Sequence, residues 1–157
     1  KMEKPNCVTH NSRFRIFIES IIGCWNFLLV ARFANLWFRC RRNTVKAWER
    51  AQVIPGYNPQ LYRKDACGAW IAWNKYGKQD NIFGWEIDHI FPVEKGGDDN
   101  SANLWAMQHQ NNASKSDDYP TFRAKMVAEG NTNVHKDRSF IVNSTLRNRL
   151  KQLYKDA

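Results

Sequence analysis

From Trp85 to Pro92 the chain reads Trp85-Glu86-Ile87-Asp88-His89-Ile90-Phe91-Pro92, and no other stretch constrains the fold as tightly. Trp85, Ile87 and His89 alternate with Glu86, Asp88 and Ile90, the period of a strand with two unlike faces. Pro92 has no N–H to give a ladder, so the strand ends before it. Gly96-Gly97-Asp98-Asp99-Asn100 then predicts a tight loop in which glycine can take positive φ. Asn103-Leu104 and Asn112-Ala113-Ser114-Lys115 follow. An acidic residue and a histidine thus stand side by side at the end of an apolar run, with two asparagines and a lysine behind them.

Those side-chain types suit phosphodiester hydrolysis. A histidine can take a proton from water near neutral pH. A divalent cation can neutralise developing charge and stabilise the leaving oxygen, and it prefers hard oxygens such as an Asp carboxylate and an Asn carbonyl. Neighbours in a regular strand point to opposite faces. The arrangement therefore predicts that the strand ends near Asp88 and that a loop re-aims His89. Asp88 then faces a metal, His89 the attacking water, and Asn112, on a helix over about 108–117, the same metal. Each residue alone has a bland alternative. His89 could be a satisfied structural group, Asp88 a turn residue, Asn112 a solvated helix position, and Gly96-Gly97 an ordinary loop. Their order and spacing together fit those alternatives poorly.

The pattern Asp-His-Ile-x-Pro, Gly-Gly, Asn-Leu, Asn-x-x-Lys over Asp88–Lys115 resembles the HNH, or ββα-metal, endonucleases. Its ending Asn112-Ala113-Ser114-Lys115-Ser116-Asp117 is most similar in motif to the HNH domain of type II CRISPR effectors. The likeness covers residues 67–118 and does not reach residues 1–43. It implies an α+β fold with a ββα-metal (His-Me finger) core, to which the sequence pattern adds a C-terminal hairpin and helix after it and an apolar helical extension before it. By the resemblance His89 is the general base, Asp88 and Asn112 are ligands of Mg²⁺ or Mn²⁺, and Asn103 braces the loop and orients the histidine. Lys115 supports phosphate or the helix. Many small members hold a structural zinc with two CxxC pairs. Here Cys67 stands alone where the first pair would begin, and Gln108 and Asn111 stand where the second would be, so no structural zinc is expected.

The formal charge of +9 favours a polyanionic partner. Residues 1–50, 51–118 and 119–157 carry net charges of +7, −3 and +5, so an acidic, metal-suited middle lies between basic flanks. Double-stranded DNA is the expected partner, with Arg63, Lys64, Lys75, Lys78, Arg123 and Lys125 as candidate phosphate contacts and Lys136 beside them. Such contacts position a substrate without reading its sequence.

Cys7, Cys24, Cys40 and Cys67 are widely spaced and read as reduced small hydrophobes. Residues 16–38 are strongly apolar, with 12 uncharged residues between Glu19 and Arg32. A membrane span, a signal segment and a packing helix all remain open for it, since a span needs roughly 20 apolar residues. Residues 1–43 are therefore set apart as an extension and residues 44–157 as the nuclease domain. Helices are expected over 44–52, as a turn at Leu61–Asp65, and from Ser144, the expected N-cap. Strands are expected over 67–76, 85–90, Phe122–Ala128 and Phe140–Val142, with Leu104–Met107 a connecting segment. The leading expectation is a metal-dependent DNA endonuclease in the cytoplasm. A non-catalytic nucleic-acid-binding module on the same scaffold and a membrane-associated nuclease are the alternatives.

Overall fold

A computed structural model describes Phe38 and residues 41–157. The apolar stretch 16–37 lies outside the described residues. Among those described, no helix is long and apolar enough to cross a membrane.

Helix α1 occupies residues 41–50 and runs through residue 43 without a break. The elements after it are β1 (Tyr62–Lys64), β2 (Trp70–Ala72), β3 (Trp85–His89), β4 (Leu104–Gln108), α2 (His109–Lys115), β5 (Thr121–Glu129), β6 (Thr132–Ile141) and α3 (Ser144–Leu153). The strands form three antiparallel pairs, β1-β2, β3-β4 and β5-β6.

Several local expectations are corrected. Leu61–Asp65 is not a helical turn, because Tyr62–Lys64 pairs with Trp70–Ala72. The strand expected over 67–76 shrinks to Trp70–Ala72, and a 3-10 turn takes Trp73–Lys75. Leu104–Gln108 is a full strand, not a connector, and pairs with β3 from Trp85↔Gln108 to His89↔Leu104. The ββα unit is therefore β3-β4-α2, with the Gly-Gly loop inside its hairpin. Asn143, one residue before Ser144, caps α3 by accepting from Leu146 N at 2.9 Å.

The β3-β4 hairpin has a different apolar cluster on each side, as period-2 alternation requires. Trp85 and Ala106 pack with Trp48 and Ala51, at the end of α1, and with Ile71 of β2. Trp105 and Met107 join Cys67, Ile90, Phe91, Phe122, Ala124, Val142 and Leu150. Within the first cluster the Trp48 and Trp85 rings lie 5.1 Å apart. Trp73, on its edge, is partly exposed.

Two glycines are fixed by geometry. Gly96 caps the Val93–Lys95 turn at φ +96°. At Gly97 a Cβ would sit 2.0 Å from Phe91 O, so no larger residue fits.

Candidate active site

The site is assembled where β3 ends. Asp88 is on the face that meets α2. Its Oδ2 lies 3.0 Å from Lys115 Nζ and accepts from Trp105 Nε1 at 2.7 Å. Trp105 is its cross-strand partner, so the register delivers that bond. Burial raises the Asp88 carboxyl above its ordinary value, against the pull of Lys115 and Trp105.

His89 points the other way. Its Nε2 lies 3.0 Å from Asp99 Oδ1, in the loop after Gly97. A carboxylate only accepts, so Nε2 is the donor, and in the neutral imidazole Nδ1 holds the lone pair. The ladder continues through His89, paired with Leu104, so no loop re-aims this residue. Asp88 and His89 instead reach one cleft because it opens at the strand's end. Pro92, Val93, Glu94, Ser116 and Asp117 line the rest of it.

Asn103 is wholly buried and does the bracing. Its Oδ1 accepts from Phe91 N at 2.8 Å, and its Nδ2 donates to Phe91 O at 2.9 Å and Asp98 O at 3.1 Å. The backbone of Asn103 also accepts from Ile90 N at 2.8 Å. One side chain thus ties the segment after His89 to the loop that carries Asp99. Tyr154 holds the same loop from the C-terminal end by donating to Asp98 Oδ1. Arg50 reaches the neighbouring turn from α1, donating to Leu104 O at 2.8 Å and to Ser101 O. Lys115, fully buried, donates to His89 O at 2.8 Å as well as pairing with Asp88. It is held inside the site, where it fixes both members of the Asp-His pair.

Asn112 sits one helical turn before Lys115 and meets the previous outward position of the strand. Its Nδ2 donates to Glu86 Oε2 at 2.8 Å. Glu86 and Asn112 line a second cleft with Gln79, His109, Gln110, Ala113, Lys125 and His135. The structure therefore joins Asp88 and His89 through Lys115, places Asn103 behind them on the Phe91 and Asp98 backbone, and sets Asn112 one rung along the same strand-helix seam. Among the described residues no group of three or more His, Cys, Asp or Glu side chains is arranged to hold a metal. The oxygens of Asp88, Asn112 and Glu86 are hard donors. A cation held by one or two carboxylates, completed by water and substrate phosphate, is the habit of Mg²⁺; the chemistry of these donors suits it, with Asp88 on the first cleft and Asn112 and Glu86 on the second.

The positions of the second zinc pair are filled by hydrogen bonds. Asp65, wholly buried, accepts at Oδ1 from Cys67 N (2.9 Å) and Ala69 N (2.8 Å). Its Oδ2 accepts from Gln108 N (3.1 Å) and Asn111 Nδ2 (2.9 Å). Asn111 also donates to Met126 O, and its Oδ1 accepts from Lys125 N and Met126 N at the bulge of β5. Burial lifts the Asp65 carboxyl to about 6, and the Asn111, Ala69, Gln108 and Cys67 donors offset only part of that rise. Burial likewise pushes the Cys67 thiol far up, with Asp65 and Asp88 adding to the rise, so it stays protonated and inert.

The proposed phosphate contacts divide. Arg63 is committed to protein, donating to Pro59 O, Glu49 O and Ala51 O. Lys64 lies over the Trp70 ring at 5.2 Å. Lys75 is half-buried, and Lys78, Arg123 and Lys125 are exposed. Of these six, only Lys125 lines either cleft. Sequence reasoning missed Glu86, Asp99, Asp65 and Asn111 as site-shaping residues. Glu86 had a signal, because two residues before Asp88 is the same strand face. Asp65 had none.

A family model described as HNH endonuclease matches residues 77–121, which contain β3, β4, α2 and every residue of the Asp88–Lys115 pattern. The match supports a nuclease. No curated protein and no solved structure matches the chain.

Proposed function

We propose that this chain is a metal-dependent endonuclease that hydrolyses DNA phosphodiesters, with His89 as general base. The observation that carries this is the His89 ring at the mouth of a cleft beside Asp88. Its Nε2 proton is engaged by Asp99, so Nδ1 is the nitrogen available to water. Asp88 and Asn112 would hold Mg²⁺ or Mn²⁺, which when bound supplies Lewis-acid stabilisation of phosphate charge. Asn103 keeps the histidine's loop in place. Lys115 orients the Asp88 carboxylate and favours its ionised form against the effect of burial. Lys125, Arg123 and Lys78 offer the backbone contacts that hold a duplex without sequence preference.

Incubating the full chain with supercoiled plasmid tests this. Nicking or linearisation with Mg²⁺ or Mn²⁺, abolished by EDTA and by His89→Ala, is the expected result. A folded protein that binds DNA yet cleaves with neither metal would leave a binding module instead.

A further inference from the structure

Glu86 is the unusual carboxylate of the site. It is 6 % exposed, and its recorded hydrogen bonds come from neutral amides, Gln79 Nε2 at 2.7 Å on Oε1 and Asn112 Nδ2 at 2.8 Å on Oε2. Asp88, two residues on along the same face, has an ammonium at 3.0 Å. Burying a carboxylate without a counter-ion in contact is costly. A glutamine would satisfy the same neighbours more cheaply if filling space were the task. A carboxylate does one thing that a glutamine does not. It can only accept, so it dictates which end of the Asn112 amide faces it. The NH₂ end must turn to Glu86. The carbonyl oxygen is left with no hydrogen bond among the described residues, facing away from the carboxylate that holds its partner nitrogen.

We infer that Glu86 is a positioning residue that fixes the amide of Asn112 with its carbonyl oxygen presented to the cation. The inference rests on Asn112 being a metal ligand. An unrestrained asparagine presents nitrogen as readily as oxygen, and an NH₂ group cannot coordinate a cation. Gln79, holding the second oxygen of Glu86, keeps the carboxylate from rotating away.

A reciprocal exchange tests it. The full chain and the variants Glu86→Gln, Asn112→Asp and Glu86→Gln/Asn112→Asp are titrated with Mn²⁺ by calorimetry without nucleic acid. Plasmid nicking is measured in parallel and folding is followed by circular dichroism. Glu86→Gln should weaken Mn²⁺ binding about 10- to 100-fold, the usual effect of removing a group that orients a ligand. The double variant should recover to within about threefold of the parent, because an aspartate has two equivalent oxygens and needs no orienting. In the Asn112→Asp background, Glu86→Gln should therefore not weaken binding at all. That comparison stands even if Glu86→Gln alone does not fold, since the exchanged pair restores the hydrogen bond.

Undiminished Mn²⁺ binding in folded Glu86→Gln would overturn the inference. So would a Glu86→Gln loss that persists beside Asp at position 112, which would make Glu86 a ligand itself. A parent chain that binds no Mn²⁺ would overturn it too. If the binding pattern holds but neither parent nor variants cleave plasmid, the positioning role stands and the nuclease reading fails.

Discussion

Asp65 and Asp88 both pack against the β3-β4-α2 unit and contrast a carboxylate saturated with donors with one that lines a cleft. Both are largely buried, and burial raises both above their ordinary values. Asp65 receives four N–H donors, three from backbone, and no solvent reaches it. Its acceptor capacity is used up. Asp88 receives an indole N–H and an ammonium, both on Oδ2, and borders a cleft. It keeps an oxygen to offer. Saturation, more than burial or charge, marks the difference.

That contrast can be broken from either side. His89→Ala should remove activity by about 10²- to 10⁴-fold, the usual contribution of a general base, with little change in thermal midpoint. Asp65→Ala should do the reverse. It strands several buried donors and should lower unfolding free energy by about 3 kcal/mol or more, read by urea titration. Activity per folded molecule should stay near the parent's. Equal loss of both properties in either variant would dissolve the distinction.

The pH dependence sharpens it. The folded value of Asp65 is about 6, above its ordinary 3.8, so the folded protein binds this proton more tightly than the unfolded chain. The associated stability is present in full below about pH 4 and is lost as pH rises through 6. The stability of the parent relative to Asp65→Asn should therefore fall by up to about 3 kcal/mol over that window. A flat difference between them would show that the carboxylate is already ionised at low pH.

Asp99→Ala should have a smaller effect. One hydrogen bond to His89 is lost at an exposed position, worth about 1.4 kcal/mol, and kcat should drop about tenfold while KM barely moves. Asp99→Asn keeps an acceptor and should recover most of it. Smallest of all should be the effect of EDTA on the thermal midpoint, below about 2 °C, because Asp65 and Asn111 tie their segments together by hydrogen bonds where a zinc pair would bind them.

The reactive side was far more legible in the sequence than the supporting side. Period-2 alternation placed β3 correctly and put Glu86 beside Asp88, and the Gly-Gly loop followed from backbone freedom alone. The two-strand core was misassigned because Leu104–Gln108 is apolar on both faces, each packed on a different cluster, so it shows no alternation. Tyr62–Lys64 misled because a three-residue strand carries too little pattern to be told from a turn. Asp65 was legible only as a turn residue, since its donors at 67 and 69 are local, whereas those at 108 and 111, which tie it to the unit, are created by the tertiary fold. The Asn112–Glu86 bond was equally out of reach, because it depends on the register of a helix against a strand.

The side chain of Asn111 has one further consequence. Two of its four hydrogen bonds reach Asp65 and Lys125, and the others reach Met126, so its partners lie on both sides of the stretch 77–121 that carries the family pattern. The segment by which the chain can be recognised is therefore smaller than the segment that can stand by itself. An excised 77–121 peptide would contain the whole Asp88–Lys115 pattern and none of the partners of the Asn111 side chain, and it should remain an unstructured chain with a complete signature.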